Sequence, residues 1–281
     1  MAASEGMVGK GLGNRIIMGL VILLAIAWMV PAITVILMSV KGNRELMEST
    51  LSTWHPPYTI ANYLNIIGTS NVFRWVLNST IVSVSTTIIT LIISSLAGYG
   101  FARTQFKGRN LLFILAMIGL AIPEQAVIIA RHQMFTTLKM HNTYIALMLP
   151  WLADGFGVFL MTQYFRAIPK ELDEAAMLDN ASRFQIFFKV LLPLTIPAQA
   201  TLAIFTFLRS WNDYLWPLIS ANKPAMFTLT VGIASTQTNF AQSEGLGYLM
   251  AQAVFASLPT LIVYLIFQKY LIRAVAGAAV R

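Results

Sequence analysis

The stretch "IIMGLVILLAIAWMVPAITVILM", residues 16–38, contains no charged residue over its whole length. A bilayer core about 30 Å thick is crossed by roughly 20 apolar residues in a helix, so this stretch predicts a membrane-spanning helix. It is also longer than the apolar core of a signal peptide, and it follows a polar segment that contains Lys10 and Arg15. We therefore expect an uncleaved first span.

Five further apolar runs follow the first. The chain has 281 residues, of which 57% are hydrophobic and only 11% charged, and this composition excludes an ordinary soluble domain. The runs are too long and alternate too little for barrel strands, so helices must satisfy their backbone hydrogen bonds in lipid. We predict an all-α integral membrane protein with six transmembrane helices in one domain, residues 1–281. The predicted spans are 16–38, 76–100, 111–130, 144–165, 194–219 and 248–271.

Basic residues indicate which side of the membrane each loop occupies. Lys and Arg concentrate in the segments 10–15, 103–109, 166–189 and 269–281. If the chain crosses the membrane six times, these segments and both termini lie on the same side. Because short cytoplasmic loops carry the excess of Lys and Arg, we predict that both termini are cytoplasmic in a multi-pass inner-membrane protein. The net charge of +8 is then mostly topological, and nucleic-acid binding is not expected.

The longest cytoplasmic segment, 166–192, contains the acidic stretch "ELDEAAMLDNAS" at 171–182. Pro169 suits the first position of a helix, where a missing N–H costs no hydrogen bond. The first two turns then hold carboxylates, which the helix dipole favours there. These carboxylates are Glu171, Asp173 and Glu174. Leu172, Ala175 and Ala176 recur at helical spacing and form a small apolar face suited to a cleft on a partner.

The second half of this segment predicts a turn and another helix. Asn180 tolerates a left-handed conformation, so we expect the first helix to stop there. Ser182 with Gln185 reads as a capping box that starts a second short helix, which should end before Pro193. From the pattern alone, a solvated loop with incidental helicity is an equal alternative to a docking helix-turn-helix.

Ionisable residues within or near the spans are candidates for lining a translocation pathway. Each costs roughly 2.5–3.5 kcal/mol at a helix centre, so such groups usually face a cavity, a partner or each other. Arg209 and Asp213 are four apart and either neutralise each other or face a solute. Asp154, between glycines near the middle of the fourth span, is the stronger candidate. The complete set of predicted pathway residues is Glu124, Asp154, Arg209 and Asp213.

Several chemistries find no support in the sequence. Cysteine is absent and His55, His132 and His141 are scattered, so no metal site is predicted. The sequence contains no GxxxxGK[ST] phosphate-binding loop and no HExxH or GxSxG cluster, which argues against ATP hydrolysis by this chain and against a membrane-embedded enzyme. An ion-coupled secondary transporter remains an alternative, although no internal repeat is evident.

The motifs together resemble the permease subunits of binding-protein-dependent ABC importers. "EAAMLDNAS" followed by "FFKVLLPLTIP" is similar to the EAA loop of that family, and further matches are "LAGYGFARTQFKGR", "HNTYIALMLP", "WNDYLWPLI" and the tail "QKYLIRAVAGAAV". The likeness is strongest to the maltose-permease-like subunit of carbohydrate uptake systems. It implies the type I importer permease fold with a cytoplasmic coupling helix.

The resemblance also implies partners and residue roles. Expected partners are two copies of an ATP-binding subunit, a second and different permease, an extracytoplasmic solute-binding protein and membrane lipid. ATP is then bound by the partner, and this chain needs no cofactor of its own. The solute is expected to be a sugar, with polyols or glycerol phosphate derivatives as alternatives. The implied ATPase-coupling residues are Glu174, Ala175, Ala176, Asp179, Asn180 and Ala181. Asn180 departs from the glycine usual in the family.

Overall fold

Helices make up all the regular structure in the residues that the computed structural model describes, which are 5–48, 53–68, 71–236 and 245–279. The all-α prediction is therefore confirmed for these residues. In chain order the helices are α1 (Glu5–Ser39), α2 (Asn43–Glu48), α3 (Ala61–Gly68), α4 (Val72–Arg103), α5 (Arg109–Ala121), α6 (Glu124–Thr137), α7 (Tyr144–Leu152), α8 (Gly155–Ala167), α9 (Glu171–Leu178), α10 (Arg183–Gln185), α11 (Leu192–Leu194), α12 (Ile196–Trp211), α13 (Leu215–Ser220), α14 (Leu229–Thr236) and α15 (Gly245–Ala279). A π-helical turn, Ile186–Leu191, connects α10 to α11.

Three of the described helices are long and apolar enough to cross a membrane unbroken: α1, α4 and α15. Three helix pairs meet the same criterion only as bent spans. The angle is 102° between α5 and α6, 46° between α7 and α8, and 74° between the segment Arg183–Leu194 and α12. Length and composition thus give up to six spans within the described residues.

The bends correct the expectation of unbroken runs at 111–130, 144–165 and 194–219. Pro123 is the N-cap of α6, and Pro197 occupies the first turn of α12. Proline has no N–H with which to continue a preceding helix, so these two breaks fall where a proline lies at the start of the next helix. The break between α7 and α8 has another cause. The Asp154 side chain accepts a hydrogen bond from the Gly157 N–H and so caps the start of α8.

The chain forms two compact units. The first consists of residues up to 69 together with 236–257, and the second of 70–235 together with the residues from 258 onward. The prediction of one permease domain over 1–281 stays a prediction.

A buried lysine organises the first unit. Lys41 is 1% exposed, and its Nζ lies 3.1 Å from the Glu45 carboxylate. It also donates to the carbonyl groups of His55 and Pro57. A buried ammonium is tolerated only with such a complete set of acceptors. Lys41 therefore ties the end of α1 to the segment that leads into α3.

The second unit is built on close packing of α4 against α8 and α12. A Cβ added at Gly98 would lie 2.6 Å from the Met161 Cβ, and one added at Gly157 would lie 2.4 Å from the Ser94 Oγ. Small residues allow helices to approach closely where lipid offers no hydrophobic driving force between them. The buried face of α4 also carries hydroxyl side chains, among them Ser83, Thr86, Thr90 and Ser94.

Substitution of Gly98 tests this packing. Gly98→Ala should destabilise the protein by about 1–3 kcal/mol, because the added methyl group overlaps α8. Gly100→Ala is the matched control, since nothing lies within 4 Å of a Cβ built there. The control should be neutral or slightly stabilising because alanine favours helix. Thermal unfolding in detergent, followed by tryptophan fluorescence, measures both, and equal midpoints for the two variants would contradict the packing.

Candidate functional site: a surface helix-turn-helix and a charged cleft

The segment 166–192 folds as a helix, a tight turn and a second helix. Lys170 is the N-cap of α9, and its carbonyl accepts from the N–H groups of Asp173 and Glu174. Pro169 therefore precedes the helix instead of occupying its first position, which corrects the sequence prediction. Ile168, the residue before the proline, is extended, as proline requires of its predecessor.

Asn180 ends α9 in a left-handed conformation with φ of 58°. The N–H of Asn180 donates to the Met177 carbonyl and the N–H of Ala181 to the Ala176 carbonyl, both at 3.0 Å. These two bonds form the Schellman arrangement that satisfies the last carbonyls of a helix. The predicted turn is confirmed, with asparagine at the position where glycine is usual.

The predicted capping box is also confirmed. Ser182 Oγ accepts from the Gln185 N–H at 3.3 Å, and Gln185 Oε1 accepts from the Ser182 N–H at 2.8 Å. The expected end before Pro193 is wrong, because the helix continues to Leu194. The π turn lengthens the hydrogen-bonded ring there, with the Leu192 N–H donating to the Phe187 carbonyl. Pro193 then falls in the first turn of α11, where its missing N–H costs little.

The six predicted coupling residues divide between surface and core. Glu174, Ala175, Asp179 and Asn180 are exposed, whereas Ala176 and Ala181 are half-buried. These two alanines pack against the hydrophobic cluster of the second unit, which includes Phe165, Phe187 and Leu202. The predicted single apolar face therefore splits: Leu172 and Ala175 face outward, and Ala176 faces inward.

Sequence reasoning missed an ion pair beneath α9. Asp173 is the buried residue of this helix, and its Oδ2 lies 3.4 Å from Nη1 of Arg103. Arg103, in the last turn of α4, also donates to the Ile168 carbonyl. The pair lies at a cleft of about 240 Å³. The position of Asp173 in a first helical turn indicated only a dipole-stabilised, solvated carboxylate.

The four predicted pathway residues come together in the second unit. Arg209 Nη1 lies 3.6 Å from Oδ1 of Asp154, and its guanidinium lies over the Trp151 ring at 4.6 Å. The partner of Arg209 is thus Asp154, which corrects the expectation of an Arg209 and Asp213 pair. Asp154 uses its other oxygen to accept the Gly157 N–H at 3.1 Å.

Asp213 lies at a cleft with Glu124 and Arg209. The Trp151 indole and the Trp216 backbone N–H hydrogen-bond to its carboxylate, while its Oδ2 is buried without a hydrogen-bond partner in the described part of the chain. A cleft of about 330 Å³ contains Glu124, Arg131, Trp151, Arg209, Asp213 and Trp216 in its wall. A second cleft of about 390 Å³, lined by Asp154 and Phe205, shares Arg209 with the first. Sequence analysis predicted these residues as separate candidates, and the structure brings them together around two clefts.

Aromatic rings and cations alternate in the wall of the cleft of about 330 Å³. The Arg131 guanidinium lies 5.3 Å from the Trp216 ring centroid and 5.7 Å from that of Trp151. The Trp216 indole in turn donates to the Ala146 carbonyl at 2.8 Å, which fixes its orientation. The cleft therefore presents two cations, two carboxylates and the rings of two fixed tryptophans.

The histidines are less scattered than the sequence implies. The rings of His132 and His141 lie 4.8 Å apart, and His141 Nε2 lies 3.0 Å from Thr136 Oγ1. A metal site would need a third ligand, and the described residues contain no group of three or more His, Cys, Asp or Glu that could hold an ion. His132 and His141 thus connect α6 to the loop that follows it.

Bent helix pairs that are apolar enough to cross a membrane, a helix-turn-helix between two of them and a charged cleft are the features to be compared with known proteins. The family described as "Binding-protein-dependent transport system inner membrane component" matches residues 90–277. The chain belongs to this family, and the resemblance seen in its motifs is confirmed.

Individual relatives agree with this assignment. The chain is 33% identical over 262 residues to the arabinooligosaccharides transport system permease protein AraQ of Bacillus subtilis, with 92% of each chain covered. It is 31% identical to the diacetylchitobiose uptake system permease protein NgcG of Streptomyces coelicolor, covering 93% of this chain and 87% of the relative. The fold is similar to a chain of a bacterial ABC transporter involved in the import of the acidic polysaccharide alginate, with a TM-score of 0.79 at 20% identity, covering 92% and 95% of the two chains.

Substitution of Asn180 tests the turn. Asn180→Val should lower the free energy of unfolding by about 1–2 kcal/mol, because a β-branched residue is strained at positive φ. Asn180→Gly, the matched control, should leave stability within about 0.5 kcal/mol of the parent, since glycine accepts this conformation freely. Thermal unfolding in detergent measures both, and a Val variant as stable as the Gly variant would argue against the left-handed turn.

Proposed function

We propose that this chain is one membrane-spanning subunit of an ATP-driven importer that takes up a carbohydrate. Three relatives are described as transport or uptake components for arabinooligosaccharides, diacetylchitobiose and lactose, which supports the solute class. The observation that carries the proposal is the loop geometry. A short helix is stopped by a fixed turn and anchored by two inward alanines, and it presents Glu174, Ala175 and Asp179 to a partner.

The proposed assembly contains two ATP-binding subunits, a second permease and a soluble binding protein. A structural neighbour is described as an alginate ABC transporter in complex with a periplasmic protein that holds alginate pentasaccharide. By analogy, solute reaches this chain already bound. ATP is held by the partner subunits, and this chain has no catalytic residue or cofactor of its own. Both termini and the 166–192 loop face the cytoplasm, as the distribution of Lys and Arg supports.

The proposed mechanism is alternating access. Closure of the ATPase pair on ATP draws the docked coupling helices together and rocks the two permeases from inward-facing to outward-facing. Solute released by the binding protein enters the opened cavity. The predicted coupling residues take part through the surface and core contacts already described, with Glu174, Ala175, Asp179 and Asn180 at the interface and Ala176 and Ala181 beneath it.

Ala175→Asp tests the coupling. The new carboxylate would lie beside Glu174 on the exposed face of α9, and we expect it to reduce the ATPase recovered with the tagged chain by about tenfold or more, since an unpaired like charge in an interface costs several kcal/mol. The measurement is a mild-detergent pull-down followed by quantification of the co-purified proteins. Ala175→Ser is the matched control and should retain the partners. Normal ATPase recovery and normal uptake with Ala175→Asp would refute the proposal.

An ion-coupled secondary transporter is the second candidate, because bent half-helices around intramembrane charges are typical of that class. The same pull-down separates the two. Recovery of the chain alone, with solute uptake driven by an ion gradient in liposomes, would favour the secondary transporter.

The cleft of about 330 Å³ that contains Trp151 is the proposed contact between this subunit and the solute. Its two arginines are balanced by Glu124 and Asp213, so no net charge favours an anion. Tryptophan faces and carboxylate acceptors suit a hydroxylated ring. This balance supports a sugar or polyol over a glycerol phosphate derivative.

Arg209→Gln tests the pathway. We expect the uptake rate of binding-protein-delivered solute to fall about tenfold, the equivalent of one charge-assisted contact of about 1.5 kcal/mol. The variant should still co-purify with its partners, since Arg209 contacts Asp154 at the start of α8, whereas α9 follows the opposite end of α8. Lys223→Gln removes an exposed cation elsewhere and serves as the control. Unchanged uptake with Arg209→Gln would exclude the cleft from the pathway.

A further inference from the structure

The Arg103 and Asp173 pair joins the ends of three helices. Its two side chains are only 6% and 13% exposed, so the pair is largely shielded from water. Arg103 ends α4, Asp173 lies in the first turn of α9, and the Ile168 carbonyl that Arg103 also binds follows the end of α8. One guanidinium thus holds the coupling helix to the two helices that form the core of the second unit.

A buried pair of this kind sets geometry more than it adds stability. Replacing both partners by apolar residues is often neutral, whereas removing one leaves a buried charge without a counter-charge. The coupling helix has eight residues, of which Asp173 is buried and Ala176 half-buried, while the others are exposed. With so small an inward surface, the direction of α9 depends on the ion pair. Other charges at the same cleft are Arg109, Lys170, Glu174 and Arg183.

The N-terminal part of α4 is hydrogen-bonded to the segment 224–227. Trp75 Nε1 donates to the Pro224 carbonyl at 3.0 Å, and Asn78 Nδ2 donates to the carbonyl groups of Ala225 and Phe227, both at 2.9 Å. From Trp75 to Arg103, α4 is one continuous helix about 42 Å long. The segment 224–227 is therefore hydrogen-bonded directly to the N-terminal part of α4.

We propose that Arg103 and Asp173 are positioning residues that pass displacement of the coupling helix to α4, and through α4 to the segment 224–227 on the opposite side of the membrane. This inference rests on the proposed function, because it takes ATP-driven movement of α9 as its input. The role of the two side chains is to make α9 and α4 move together.

A cysteine reporter tests the link. The chain has no cysteine, so Ala225→Cys introduces one thiol on the exposed part of the segment. Its reaction rate with a membrane-impermeant maleimide is measured in the complete complex, with and without ATP. We expect the nucleotide-dependent ratio of rates in the reporter chain to fall to about one when Asp173→Asn is added, while the ATPase still co-purifies.

Two further variants distinguish positioning from general damage. The exchange Arg103→Asp with Asp173→Arg should restore the nucleotide response, because it rebuilds the pair with reversed sign. Glu171→Gln removes an exposed carboxylate from the same helical turn and should leave the response unchanged.

The outcomes separate this inference from the proposed function. If the reporter chain with its native pair recovers no ATPase, the proposed function fails. If the complex assembles with the native pair but the thiol shows no response to ATP, the transmission to 224–227 is overturned while the proposed function stands. If Asp173→Asn keeps the full response in an assembled complex, the positioning role is overturned. If Asp173→Asn prevents assembly, the exchange variant decides: restored assembly with a restored response supports the role, and any other result overturns it.

Discussion

The close approach of α4 to α8 is the constraint on which the second unit depends. Gly98 and Gly157 have no side chain to hold the helices apart, and a methyl group at either position would overlap its neighbour. This approach buries the hydroxyl-bearing face of α4 and aligns the ends of α4 and α8. The alignment in turn lets one arginine at the end of α4 reach both the Ile168 carbonyl and the Asp173 carboxylate. The placement of α9 therefore depends on the glycine packing between α4 and α8.

Local signals in the sequence predicted local structure well. Apolar runs gave helices because lipid leaves the backbone no other partners. Ser182 with Gln185 gave a capping box, and Asn180 gave a left-handed turn, because each device depends on a few adjacent residues. The bends within the spans were harder to predict from the sequence. Pro123 and Pro197 lie at two of the bends, but the apolar composition continues past both prolines.

Contacts between residues distant in sequence could not be predicted in the same way. Arg209 has an acidic neighbour one turn away in Asp213, yet it pairs with Asp154 on another helix. Asp173 has the surroundings of a solvated acid in sequence, yet it lies beneath its helix. In each case the packing of different helices determines the partner, and the spacing of residues along one helix does not predict that packing. The four pathway candidates were individually indicated by the cost of charge in lipid, but their common clefts required the fold.

The charged cleft and α9, the proposed coupling helix, lie within one compact unit, which gives the transport proposal a physical basis. Charges that would be unfavourable in lipid are compensated by each other and by fixed indole groups at the cleft. The surface helix is held by one ion pair and two alanines, leaving its outer face free for a partner. A rod of α4 connects the coupling end to the segment 224–227.

The most direct measurement is the distance between spin labels at Leu178→Cys on α9 and at Ala225→Cys in the segment 224–227, which is hydrogen-bonded to the N-terminal part of α4. It is taken in the assembled complex with and without nucleotide. Leu178 is 85% exposed, and the absence of native cysteine makes both labels specific. If α9 and α4 move as one body, the distance should change by less than about 2 Å, within the range of small helix shifts. A change of about 5 Å or more, equivalent to a full helical turn, would mean that the coupling helix moves independently of α4.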